Sequence, residues 1–368
     1  MTSLDLAWTL LVLATAACGS RTDLGAPSEQ PSDGGTQRFS DTGTGRRDTG
    51  TDAVAREVAC LLLGAATAEV DGGTGATWLW TGAGWTEDAV AGPLTRENPA
   101  VGVLGEDVVV FGGASSGTFG GGNLNDTWVW RGASWTQQPV GVAPSARENA
   151  TFAAQGNGLV LFGGQAAGGG AAGLGDTWVW DGAAWTQQFP SHSPSARYAA
   201  AAAPAGSTVV LFGGLTAGPD AEMELLADTW QWDGTDWTEL SPAESPPARA
   251  GAMSATFDTG AVLFGGVTGA GLTPDCLEGV CFYDDTWLWD GSTWTSAPVA
   301  GASPSARAFG SAGTLGTSFV LYGGESPNQG ANGSPDLADT WIWDGSTWTQ
   351  WLEPGPSGFG GSGALGCY

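Results

Sequence analysis

The chain has 368 residues, of which 38 are acidic, 11 are arginine and none is lysine, for a net charge of −27. Such a surface repels phosphate backbones, which argues against nucleic acid as a partner, and it favours solubility. One histidine, His192, against 62 glycines and 20 tryptophans leaves too few ligands for a zinc site and no Ser/His/Asp set that avoids His192. No sequence pattern sets a carboxylate beside it.

In chain order, residues 6–17 form an apolar run too short to stay in a bilayer as an anchor. It ends in Thr15-Ala16-Ala17-Cys18, which resembles a bacterial lipoprotein signal. That resemblance implies lipidation at Cys18 and a membrane tether through the lipid. Gly19 after the cysteine implies the outer membrane or cell surface. An ordinary secretory signal cut nearby is the alternative, and either one exports the chain. Residues 19–55 are a Gly/Ser/Thr/Asp/Pro mixture that cannot bury enough apolar surface to fold and read as a flexible tether. The division is 1–18 signal, 19–55 tether and 56–368 folded domain.

The folded part repeats. A Trp-x-Trp pair followed by a third Trp occurs six times, beginning at Trp78, Trp128, Trp178, Trp230, Trp287 and Trp341. A period near 50 residues signals a repeat array. Five units open on a proline turn ending in Arg96, Arg147, Arg197, Arg249 or Arg307. A short apolar run closed by Gly-Gly comes next, then a variable loop, then Asp-Thr-Trp beginning at Asp126, Asp176, Asp228, Asp285 or Asp339. Short Val/Leu/Phe/Trp runs between Gly, Pro and Asn predict four strands per unit. Asp-Gly pairs such as Asp181-Gly182 predict type I′ hairpins between the third and fourth strands.

The Gly-Gly after an apolar strand, and the paired aromatics after it, resemble the kelch repeat, with Trp128 and its equivalents where that family usually has Tyr. The expectation is an all-β, six-bladed β-propeller of four-stranded antiparallel blades. The first Trp phrase has only one strand before it, Leu61 to Ala65. Phe359 to Gly366 matches the first strand Phe309 to Gly316, so a C-terminal strand is predicted to complete the N-terminal blade. That blade lacks the repeat Arg and has Ala76 in place of the Asp. Their joint loss predicts that Arg and Asp pair within a blade, as a structural feature.

Five cysteines remain to be placed. In the repeat alignment Cys60 matches Phe319 and Cys367 matches Thr317, flanking one hairpin turn, so a Cys60–Cys367 disulfide is predicted to staple the ring. Cys276 and Cys281, close together in the longest loop, are predicted to form a second bridge. Free thiols at all four are the alternative, and export favours the bridges.

In a four-stranded meander the loops between second and third strands share one end with the connections between blades. These loops vary, which is where function concentrates. The candidate binding residues are Asp220, Glu222 and Glu224 in one loop, Asp275, Glu278 and Asp284 in the next, and Glu325, Asn328, Asn332 and Asp336 in a third. No cofactor or metal is expected, and copper oxidases built on kelch-like propellers need two His ligands. The reading is a non-catalytic, surface-tethered and monomeric module that binds a protein or glycan. A carbohydrate-active enzyme using channel carboxylates is the alternative.

Overall fold

The computed structural model describes residues 60–64, 75–115, 122–139, 141–167, 173–218, 222–269, 276–277, 280–298, 301–326, 336–352, 355–356 and 364–368. The predicted signal and tether lie outside them. Among the described residues every regular element is a strand, and they form six four-stranded antiparallel sheets with three smaller sheets of two or three strands beside them. The composite first blade joins Ala364–Cys367 to Cys60–Gly64, Ala76–Trp80 and Trp85–Asp88. The second blade is Ala100–Leu104, Asp107–Phe111, Thr127–Trp130 and Trp135–Gln137. The third is Thr151–Gln155, Gly158–Phe162, Thr177–Trp180 and Trp185–Gln188. The fourth is Ala201–Ala205, Thr208–Ala217, Met223–Trp232 and Trp237–Leu240. Met253–Phe257, Gly260–Phe264, Thr286–Trp289 and Trp294–Ser296 make the fifth. Ser311–Leu315, Ser318–Glu325, Asp336–Trp343 and Trp348–Trp351 make the sixth. First strands touch around the centre, and Ala364–Cys367 touches both Ser311–Leu315 and Ala100–Leu104, which closes the ring.

The core lies between blades, and the tryptophans build it. Side chains two apart on a strand share a face, so both indoles of each Trp-x-Trp pair point the same way. All three tryptophans of a blade face the blade before it. Trp178, Trp180 and Trp185 pack on Val109, Phe111 and Val129, and Trp341, Trp343 and Trp348 on Val262 and Phe264. Across the closure Trp78, Trp80 and Trp85 pack on Val320 and Tyr322. Each third Trp also donates its indole N–H to the threonine of the preceding blade's third strand. Trp135 bonds Thr77, Trp185 Thr127, Trp237 Thr177, Trp294 Thr229, Trp348 Thr286 and Trp85 Thr340, at 2.9 to 3.2 Å. The ring of bonds is unbroken at the closure, and all six threonines are buried.

Closure differs in register from the alignment. Cys367 stands opposite Cys60 as Thr314 stands opposite Phe319, three positions from the predicted match at Thr317 (317 − 314). The strand is not joined to its partner by a turn, so no turn geometry sets its register; burial does. In the observed register Leu365 is buried with Leu62 and Trp80, and Cys60 and Cys367 are disulfide-bonded. Cys281 is also disulfide-bonded, and Cys276 is its opposite number in a short hairpin.

The Asp-Gly hairpins form in a different way from the type I′ turns expected. Gly182, Gly234, Gly291 and Gly345 have positive φ, whereas the aspartates before them do not. Asp181 precedes the turn, and its carboxylate accepts the N–H groups of Ala183 and Ala184 at 2.9 and 2.8 Å. Asp233, Asp290 and Asp344 do the same. The aspartate is there for its side-chain acceptor, as in an Asx turn.

Candidate binding face

Each repeat arginine fastens the connection between two blades. The side chain of Arg147 reaches into its own blade: Nη1 donates to the carbonyl of Gly163 at 2.9 Å, and the guanidinium forks onto Asp176 at 2.6 and 2.8 Å. Its main chain belongs to the blade before. The N–H donates to the Leu124 carbonyl at 3.1 Å, and the carbonyl accepts from Gly113 at 2.9 Å. Arg197, Arg249 and Arg307 repeat both halves, and Arg96 repeats the side-chain half with Asp126 and Gly112. All five guanidiniums are buried. The predicted Arg–Asp pairing is present, and it ties blades together as well as bracing one. Each of the five aspartates also accepts the indole N–H of the Trp two residues on, at 2.7 Å.

These clasps set the backbone conformation just beyond them. Two residues after each arginine the chain turns left-handed: Asn98 has φ 48°, Asn149 54°, Ala199 52°, Gly251 62° and Phe309 55°. From Asn149 onward, each of these residues donates its N–H to the carbonyl of its counterpart in the preceding blade. Asn149 bonds Asn98, Ala199 bonds Asn149, Gly251 bonds Ala199 and Phe309 bonds Gly251, at 2.8 to 3.0 Å. This chain of bonds surrounds the mouth of the central channel, a cavity of about 140 Å³ lined by those five residues and their C-terminal neighbours. Gly251 is glycine for a reason: a Cβ there would lie 2.7 Å from the ring of Phe309.

Chemistry varies around the mouth. Beside the second and third blades are Glu148 and the two asparagines. Burial pushes the Glu148 carboxyl up, opposed by the amide of Asn98, whose Nδ2 lies 3.5 Å from Glu148 Oε2. Tyr198 is pushed up to about 12 by burial and then by the charge of Glu148. Beneath blades four to six Leu215, Val267, Phe282 and Ala308 form a buried apolar cluster, with half-buried Met223 and Leu225 packed against it. Several of these come from strands that run past the Gly-Gly, most fully in the Thr208–Ala217/Met223–Trp232 arm.

The structure scatters the residues singled out from sequence. Glu222 and Glu224 are exposed on that arm, and Asp284 is exposed next to the clasped Asp285. Glu325 is buried where its strand pairs with Asp336. Asp220, Asp275, Glu278, Asn328 and Asn332 lie outside the described residues. His192 is exposed, but it does have a carboxylate beside it, contrary to expectation. Its backbone N–H donates to Asp236 Oδ1, and Nδ1 lies 2.8 Å from Oδ2, because the connection after the third blade lies against the hairpin of the fourth. Among the described residues no three His, Cys, Asp or Glu side chains gather as a metal site. The channel-mouth ring was missed. Asn, Asn, Ala, Gly and Phe share no chemistry, and only their fixed distance after the arginine could have revealed it.

The six closed sheets define a β-propeller. Residues 77–266 match the KLHDC2/KLHL20/DRC7 Kelch-repeats domain, and the chain belongs to the kelch-repeat family. Over 113 residues, 28% of this chain, it is 32% identical to the flagellar outer arm dynein alpha chain of Chlamydomonas reinhardtii, and it spans 2% of that relative's length.

Proposed function

We propose that this protein is an exported, surface-tethered, non-catalytic kelch propeller that presents its loop end to a protein or glycan partner. The carrying observation is the contrast between the two ends. One end repeats the same Asp-capped hairpin through blades three to six. The other bears the arms and the channel mouth, and variable loops on a rigid scaffold are where binding sits. Disulfides at Cys60, Cys367 and Cys281 suit an oxidising compartment. The signal-like segment ending at Cys18 supplies the export and lipid-anchor part of the reading.

The test uses the full chain with two sets of substitutions, one at the loop end and one at the Asp-Gly hairpins. Partner capture lost with the first set and kept with the second is expected; the reverse pattern would sink the reading. Fatty-acid labelling that disappears in Cys18→Ala tests the anchor. Hydrolysis of a glycan that vanishes on removal of a single carboxylate would make the protein an enzyme instead.

A further inference from the structure

We propose that the channel mouth holds the terminal sugar ring of a neutral glycan; this rests on the loop end being the binding end. At about 140 Å³ the cavity falls below the roughly 300–1,000 Å³ of drug-sized sites, so its guest is one ring or one side chain. The wall decides between them. Asn98 and Asn149 line it on one side, and Ala199 and Phe309 on the other. Among the described residues no charged side chain belongs to the wall. The repeat guanidiniums are spent in the clasps, so none of them is left to receive a partner's carboxylate. Glu148 stands beside Asn98 rather than in the wall, so a lysine or arginine tip would meet no counter-charge. A pyranose fits both sides: adjacent hydroxyls pair with an amide's donor and acceptor, while its C–H face packs on an aromatic.

The asparagine amides are available for this. The side chain of Asn149 has no hydrogen-bond partner among the described residues, and that of Asn98 makes only the long contact to Glu148. Gly251 shows that the backbone ring itself requires no side chain at this position. Asn98, Asn149 and Phe309 all hold a left-handed conformation, which asparagine tolerates and which a bulky residue such as Phe309 adopts at a cost. A bulky aromatic held in that conformation at the edge of a cavity points to a ligand.

The experiment applies the full chain to an array of neutral terminal hexoses, deoxyhexoses, pentoses and N-acetylhexosamines, and then titrates it with the methyl glycoside of the best binder. Asn149→Gly preserves the left-handed backbone and removes the amide; Phe309→Asn removes the aromatic face at a residue type that tolerates the conformation. The expected result is binding of at least one glycoside in roughly the millimolar range. Each variant should weaken it tenfold or more, with the melting temperature of Asn149→Gly unchanged. No bound sugar, or equal affinity in Asn149→Gly, overturns the proposal. Should a protein partner instead be captured, and lost in both variants while no sugar binds, the loop end stands as the binding face and the sugar assignment falls. Partner binding indifferent to every loop-end substitution would defeat the broader reading too.

Discussion

At the scale of single residues, the clasp shows why arginine recurs in a chain without lysine. Arg197 satisfies two carboxylate oxygens, the Gly213 carbonyl and the Ser195 carbonyl and hydroxyl at once, which needs a planar fork rather than a point charge. Its side chain is 1% exposed and that of Asp228 23%. Breaking the pair by Arg197→Ala should therefore cost about 3 kcal/mol, the lower end for a buried pair, and Arg197→Lys should fall between, as read by urea unfolding. The carboxyls of Asp126, Asp176, Asp228 and Asp339 carry a pH signature. Burial pushes them up, but arginine hydrogen bonds and charge, with the indole N–H, outweigh it and leave each below its usual range. A folded value below the unfolded one, near 3.9, gives full stabilisation above about pH 4 that is lost as pH falls through the folded value. Asp228→Asn should thus reduce proton uptake on acid unfolding by up to about one proton, measured from the pH dependence of unfolding free energy. Glu148 has the opposite sign. Its raised folded value penalises the ionised form, most at neutral pH, so Glu148→Gln should raise the melting temperature at pH 7. That gain should disappear as pH falls below the usual carboxylate range. Equal gains at both pH values would mean that ionisation is not the cause.

At the scale of elements, the threonine of Asp-Thr-Trp carries the contact between blades. It survives as Thr77 in the one blade where Ala76 has replaced the aspartate, and its hydroxyl accepts there as elsewhere. Thr177→Val keeps the shape but leaves the buried N–H of Trp237 without an acceptor. A loss of about 1–3 kcal/mol is expected, with Thr177→Ser recovering part of it in the same unfolding assay. The repeat made blade number, strand order and the Arg–Asp pairing legible in the sequence, because each rests on residues at constant spacing. Two features resisted. Asp181-Gly182 signals a hairpin whether the aspartate lies in the turn or caps it, and only the backbone distinguishes them. The register of Ala364–Cys367 is set by burying Leu365, a tertiary preference with no local signal. Most of the candidate site resisted too. Its loops are defined by not repeating, and the channel mouth is built from five unlike residues whose common property is a backbone angle.

At the scale of the whole molecule, the weak point is the seam, where the composite blade has neither the arginine nor the aspartate. Compensation is concentrated there. Tyr322, where blades two to five have Phe, donates its hydroxyl to the Pro356 carbonyl, and its ring lies 5.2 Å from that of Trp85. Trp351, outside the repeated phrase, sets its edge on Trp80 at 4.9 Å. The Cys60–Cys367 disulfide then closes a loop with a sequence separation of 307, for which a chain-entropy estimate gives roughly 6 kcal/mol as an upper value. Two changes separate the bond from the strand that carries it. Cys60→Ser with Cys367→Ser removes the bond but leaves Leu365 and the strand pairing, so the double variant should unfold earlier by no more than that amount and should self-associate no more than the unaltered chain. Deleting residues 364–368 exposes the edge of Cys60–Gly64 and uncovers the apolar seam, and an unpaired edge invites pairing with another chain. The truncated protein should therefore be the least stable of the three and should self-associate, as read by unfolding and by light scattering. Reductant alone would not separate these effects, since Cys281 is disulfide-bonded as well. If the double cysteine variant fell to the level of the truncation, the bond would be holding the strand in place; a gap between them assigns the remainder to strand pairing and the burial of Leu365.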